Sequence, residues 1–165
     1  MSEILSDQII RKLKHLNDLY HRLLLVVAPA GGGKTIAVQE VAKRVDAPLI
    51  NLNLVLSKKM LELTERQRTL KLPGLLNEII KTTDNDTILL DNIEILFDAN
   101  LKQDPLRLLQ SISRNRKVIS SWNGIIDHDR LTYAVPGHPE YRKYNIKDIL
   151  VASPDSINES LINVY

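Results

Sequence analysis

The period of the hydrophobic pattern changes repeatedly along the chain. Residues 7–20 set Ile9, Ile10, Leu13, Leu16 and Tyr20 at helical spacing, with Arg11, Lys12, Lys14 and Asp18 between them. That predicts an amphipathic helix with Ser6 as its cap. Leu23-Leu24-Leu25-Val26-Val27 is apolar without alternation, as in a strand covered on both faces. A helix is expected over residues 34–44, ended by Asp46-Ala47-Pro48. Leu49-Ile50-Asn51-Leu52-Asn53-Leu54 alternates and predicts a second strand. Residues 57–82 are helical in pattern, with a break expected at Pro73-Gly74. Thr87 to Leu90 forms a third strand-like run. Asp104-Pro105 opens another helix, with a capping carboxylate and a proline at the first helical position. Residues 117–121 and 148–151 predict a fourth and a fifth strand. Residues 123–147, with Gly124, Pro136, Gly137 and Pro139, read as an irregular loop. It is too long for an ordinary connection, and so functional or partly structured.

Strands alternating with helices predict an α/β fold of three layers, with a mainly parallel five-stranded sheet between helices. No repeat or low-complexity tract divides the 165 residues. One domain is expected, with an N-terminal helix in residues 1–21, a core in 22–152 and a short tail in 153–165. The longest apolar run, Leu23 to Ala30, is far short of the roughly 20 residues of a membrane span. Met1-Ser2-Glu3 lacks the start of a secretory signal, and the absence of cysteine removes disulfides and thiolate metal sites. A cytoplasmic protein without a membrane partner is expected. Net charge is +2, but residues 1–82 carry 13 basic and 8 acidic side chains, against 9 and 12 in residues 83–165. This bias suits phosphates or an acidic partner no better than it suits ordinary solvated helices.

Candidate chemistry changes the picture more than charge does. Three of only six glycines are consecutive, in Ala28-Pro29-Ala30-Gly31-Gly32-Gly33-Lys34-Thr35, between the first strand and a helix. Strand, glycine-rich turn, Lys-Thr and helix make up a phosphate-binding loop. Residues without Cβ let backbone N–H groups converge on phosphate oxygens, and the helix N-terminus adds partial positive charge. Pro29, Ala30, Gly31, Gly32, Gly33, Lys34 and Thr35 would hold the phosphates of ATP, with Lys34 as a mobile charge. Thr35 would ligate Mg²⁺. Ala28 stands where the pattern has its first glycine, which is tolerable if that position needs no positive φ.

Such a loop needs a carboxylate from a neighbouring strand. Thr87-Ile88-Leu89-Leu90-Asp91 supplies one, and Asp91 would join the Mg²⁺ shell through water unless it only caps the next helix. The following residue, Asn92, can orient a water but cannot take its proton. Glu94, two residues on, could be the base if the strand ends early. Beyond the fourth strand, Asn123, or failing it Ser121, could contact a γ-phosphate, although Asn123-Gly124 is also a strong turn dipeptide. Arg114 and Arg116 are candidates for an arginine offered to a neighbouring subunit, or for cations at a helix end.

Over residues 20–125 these motifs resemble the additional-strand P-loop ATPases near the AAA+ group, which implies the strand order 5-1-4-3-2. The segments Pro48-Leu49-Ile50-Asn51-Leu52-Asn53-Leu54, Leu61-Glu62-Leu63-Thr64-Glu65-Arg66-Gln67-Arg68 and Leu89-Leu90-Asp91-Asn92-Ile93-Glu94-Ile95-Leu96-Phe97 are similar to the BrxF family. So are Gln103-Asp104-Pro105-Leu106-Arg107-Leu108-Leu109-Gln110, Ser113-Arg114-Asn115-Arg116 and Pro136-Gly137-His138-Pro139-Glu140-Tyr141. BrxF proteins are small P-loop components of type 3 BREX bacteriophage-defence systems. The resemblance implies an ATP-binding part of a multiprotein antiviral assembly, with homo-oligomers or other BREX proteins as partners. Ala152 to Tyr165 are too few for the helical lid of full AAA+ enzymes. With Asn92, this implies a slow ATPase completed by partners, or a non-hydrolysing nucleotide switch.

Weaker signals remain. Arg130, Tyr133, His138, Tyr141, Arg142, Lys143 and Tyr144 mix cations and rings as single-stranded nucleic-acid sites do, or as packing loops do. DNA is thus a possible partner, and a DNA-binding module with a vestigial P-loop is a further alternative. Asp127-His128-Asp129 reads as a solvated turn before a cation site. Lys58, Lys59, Arg66, Arg68 and Lys71 give the second helical stretch a basic, solvated side.

Overall fold

A computed structural model describes residues 4–31, 33–134, 137–146 and 149–154. Helix α1 (Leu5–Leu13) leads into β1 (Leu23–Ala28), and α2 (Lys34–Arg44) follows. Next come β2 (Leu49–Asn51), α3 (Leu52–Met60), α4 (Glu65–Ile80) and β3 (Thr87–Asp91). Then follow α5 (Pro105–Ile112), β4 (Lys117–Asp127), β5 (Arg130–Tyr133), β6 (Arg142–Asn145) and β7 (Leu150–Ala152). The parallel part of the sheet runs β2-β3-β4-β1-β7. Counted as five strands in chain order, this is the 5-1-4-3-2 arrangement that the family resemblance implies.

Every residue of β1 is buried, and its side chains alternate between two cores. Leu23, Leu25 and Val27 pack in a cluster with α3, α4 and α5, whereas Leu24 and Val26 pack with Ile9 of α1 and Val38 and Val41 of α2. A strand with helices on both faces has no polar side, which explains the unbroken apolar run. Gln8 clamps α1 to the end of β7: its Nε2 donates to Ser153 O, and its Oε1 accepts from Ser153 N. Among the described residues, none after Ala152 is helical, and no helix is long and apolar enough to cross a membrane.

Several expectations are corrected. The first helix ends at Leu13, a 3₁₀ turn covers Leu16–Asp18, and Tyr20, expected on the apolar side, is 68% exposed. Ser6 is no cap; it lies buried inside α1, and the N-cap position is Ile4. The alternation over residues 49–54 becomes a strand of three residues and then α3, because the Asn51 side chain accepts from Leu54 N at 3.1 Å. Leu52 and Leu56, four apart, then face the core together. The helix expected over 57–82 is two helices, since Thr64 and Gln67 form a capping box that starts α4 afresh. Pro73-Gly74 does not break α4. Proline lacks the N–H that would bond the carbonyl four residues back, at Thr69, and Gln103 Nε2 donates to that carbonyl at 2.8 Å instead.

The region expected to be a loop is an antiparallel extension of the sheet: β4 pairs with β5, and β5 with β6. Asn123-Gly124 lies within β4, opposite Tyr133, and the turn falls at His128 (φ 56°). Tyr133 stacks on Phe97 at 3.4 Å between centroids, while Tyr144 meets Trp122 edge-on and donates to Asp104 Oδ1. These two tyrosines are packing residues. Gly74 is in an unremarkable helical conformation, with nothing within 4 Å of an added Cβ. Gly74→Ala is expected to raise stability by about 0.5–1 kcal/mol, read as a higher urea midpoint at unchanged slope.

Candidate functional site

The phosphate loop leaves β1 at Ala28, which closes the strand without a positive φ. Gly31 and Gly33 then take φ of +81° and +85°, where a side chain would be strained. Gly33 is the N-cap of α2, so Lys34 and Thr35 form its first turn. Gly32 lies outside the described residues. Nothing stands within 4 Å of the Cβ positions at Gly31 and Gly33, so the space beside these two residues is open.

Lys34 is only 6% exposed, and its Nζ donates to Ala28 O at 3.0 Å and Pro29 O at 2.8 Å. Burial pushes its ammonium below the usual lysine value, against the opposing pull of Glu94 and then Asp91. A desolvated cation resting on loop carbonyls, with a third N–H to offer, is poised for an anion.

Asp91 ends β3 beside α2. Thr35 Oγ1 donates to its Oδ2 at 2.9 Å, and Ser121 Oγ of β4 donates to its Oδ1 at 2.7 Å. Since Thr35 gives its proton to Asp91, the hydroxyl lone pairs remain for a cation, with the carboxylate behind to accept from bound waters. A donor set made only of oxygen suits Mg²⁺, so these residues fit that ion.

Beyond Asp91 the backbone turns left-handed at Asn92 (φ 54°), whose carbonyl accepts from Asn53 N at 3.0 Å. A 3₁₀ helix, Ile93–Phe97, follows; Ile93, Leu96 and Phe97 are buried. Glu94 is thereby turned back toward the sheet, where Asn123 Nδ2 donates to its Oε1 at 2.6 Å. The same carboxylate acts on Lys34 and, after burial, helps to raise the Tyr133 hydroxyl above its usual value. Asn92 is exposed and makes no side-chain hydrogen bond among the described residues.

Lys34, Thr35, Asp91, Glu94, Ser121 and Asn123 therefore meet at the C-terminal ends of the parallel strands. Arg114 and Arg116 do not. They precede Lys117, which pairs with Thr87 at the opposite end of the sheet. Arg116 donates through Nη1 to Ile80 O and Thr83 O at the end of α4, and Arg114 lies over the Tyr20 ring at 4.7 Å. Asp127 and His128 pair at 3.6 Å in the β4–β5 turn, and no cluster of metal ligands forms among the described residues. The Ser121–Asp91 and Tyr133–Glu94 relations escaped sequence reasoning. Only the first left a signal, in the two-residue spacing of Ser121 and Asn123 along one strand face.

The family model for AAA, the ATPase family associated with various cellular activities, matches residues 24–119, more than half of the chain. That span runs from β1 to β4 and contains the phosphate loop and Asp91. No curated protein matches the sequence.

Proposed function

The chain belongs to the AAA family of ATPases, and from that premise we propose that it binds ATP with Mg²⁺ and hydrolyses the nucleotide slowly. The observation that carries the reading is the convergence of two carboxylates and a buried lysine on an open glycine loop. Backbone N–H groups of residues 30–33 and the α2 N-terminus would bind the phosphates, and Lys34 would neutralise their charge. Thr35 and, through water, Asp91 would hold Mg²⁺, which when bound supplies charge neutralisation at the phosphate oxygens. Glu94 would take the proton of an attacking water, oriented by Asn123. Exposed Arg114 would be the arginine open to a neighbouring subunit, Arg116 being bound to the end of α4.

We further propose that the protein works within a BREX phage-defence assembly, as a homo-oligomer or with other proteins of that system. The BrxF-like segments around Asp91, Thr64 and Asp104 support this. DNA would be a further contact in that assembly.

The test is phosphate release by purified protein, alone and with oligomer partners or DNA. Glu94→Gln should lower the rate at least about a hundredfold while nucleotide still binds. Asp91→Ala should remove the Mg²⁺ dependence of binding. One observation favours a second reading, a nucleotide switch without hydrolysis: the 2.6 Å bond to Asn123 occupies an oxygen of the candidate base. Tight ATP binding, with phosphate release that is at background and indifferent to Glu94→Gln, would establish that reading and overturn the first.

A further inference from the structure

We infer that Ser121 is a positioning residue that sets the divalent-cation affinity of the nucleotide site by holding Asp91, rather than a sensor that touches phosphate. The inference rests on the function proposed above. Ser121 is 2% exposed and Asp91 7%. A serine hydroxyl has one proton to give, and that of Ser121 goes to Asp91 Oδ1 at 2.7 Å. With Thr35 on Oδ2, the carboxylate is gripped from both sides and its plane is set.

Strand β4 supplies the grip by its period of two. Ser121 and Asn123 share a face, and each holds one carboxylate, Asp91 and Glu94 respectively. Between them Trp122 points to the other face, where its Nε1 donates to Thr132 O and its ring packs against Phe97, Tyr133 and Tyr144. Ser120 bonds back to its own strand, at Ser121 O. The Trp122 bond to Thr132 thus ties β4 to β5 on the face away from Ser121.

The two hydroxyls on Asp91 differ in duty. Thr35 is the residue that would meet the cation, whereas Ser121 stands behind the carboxylate and holds it whether or not a cation is present. Without the Ser121 hydroxyl, Oδ1 becomes a buried acceptor short of a donor and the carboxylate is free to rotate. Groups that orient metal-binding residues from behind typically contribute about 10- to 100-fold in metal affinity.

The experiment follows thermal stabilisation by ATP as Mg²⁺ is titrated, alongside binding of a fluorescent ATP analogue in EDTA. For Ser121→Ala, half-saturating Mg²⁺ should rise about tenfold, with metal-free analogue binding within about twofold of the parent. Ser121→Cys, close in shape but a poor donor, should behave likewise and serves if the alanine variant folds poorly. A Mg²⁺ curve unmoved in either folded variant overturns the inference. So does equal loss of binding with and without metal, because that would mean direct phosphate contact. Asp91→Ala separates this from the underlying reading. If that variant also leaves the Mg²⁺ curve in place, the metal site itself is wrong; if it moves the curve and Ser121→Ala does not, only the role of Ser121 falls.

Discussion

Lys34→Ala should abolish the thermal stabilisation that ATP confers. A ligand at 100 times its Kd adds about 2.7 kcal/mol to the folded state. For a chain of this size each kcal/mol raises Tm by about 2–4 °C, so the parent protein should gain about 5–10 °C. The alanine variant should gain less than about 1 °C under the same conditions. The expectation rests on the state of the lysine before ligand arrives. Its ammonium is buried, burial lowers its pKa, and Glu94 and Asp91 offset that only in part. A phosphate would supply the missing countercharge at the one place where the cation is already desolvated. With the folded pKa below 10.5, the unfolded chain binds the proton more tightly. The contribution of Lys34 to stability therefore rises with pH between the lowered value and 10.5. Lys34→Ala removes that rise, visible as a flatter alkaline limb in denaturant midpoints. Full ATP stabilisation of the variant would refute the assigned site.

Gly124→Ala should be the most damaging conservative substitution in the antiparallel extension. A Cβ at Gly124 would lie 1.8 Å from Thr132 O, 2.9 Å from Thr132 C and 3.0 Å from Trp122 Nε1. Backbone cannot swing aside as a side-chain tip can, and the same carbonyl accepts from Trp122 at 2.9 Å. Relief requires β4 and β5 to part, which breaks that bond and loosens the stack of Tyr133 on Phe97. Overpacking of this kind costs about 3 kcal/mol or more, read as a fall in urea midpoint. Trp122, the only tryptophan, should shift its emission to the red as its environment opens. Because Phe97 and Glu94 share one 3₁₀ helix, nucleotide affinity and phosphate release should fall as well. A variant with parental stability and unchanged emission would show that the close approach of β5 is not as described.

The phosphate loop was legible because its chemistry is local. Consecutive glycines after an apolar run and before Lys-Thr encode strand, turn and helix within a dozen residues, and each constraint is met by neighbours in the chain. The apolar run of β1 likewise announced a strand with helices on both sides. The place of Asp91 at the end of β3 was legible for the same reason: a polar residue closes a strand-like run. The antiparallel extension was not legible. Gly124 resembles a turn residue, and its true reason, the approach of Thr132 from eight positions on, is a contact that no local pattern carries. Pro73 misled in the same way, since the group that makes it harmless, Gln103 Nε2, lies 30 residues downstream of it.

By itself, then, the amino-acid sequence determined the five parallel strands and the place of the glycine loop between the first of them and a helix, since hydrophobic period, glycine and capping residues act over a few bonds. Only the tertiary structure decided which side chains share the site. It gave Glu94 the place beside Lys34, used Ser121 to hold Asp91, took Arg116 for the end of α4, and packed buried Tyr133 and half-buried Tyr144 against Trp122. Those choices depend on strand register and on the direction in which a backbone turn releases the next side chain. Both are set by packing between segments far apart in the chain.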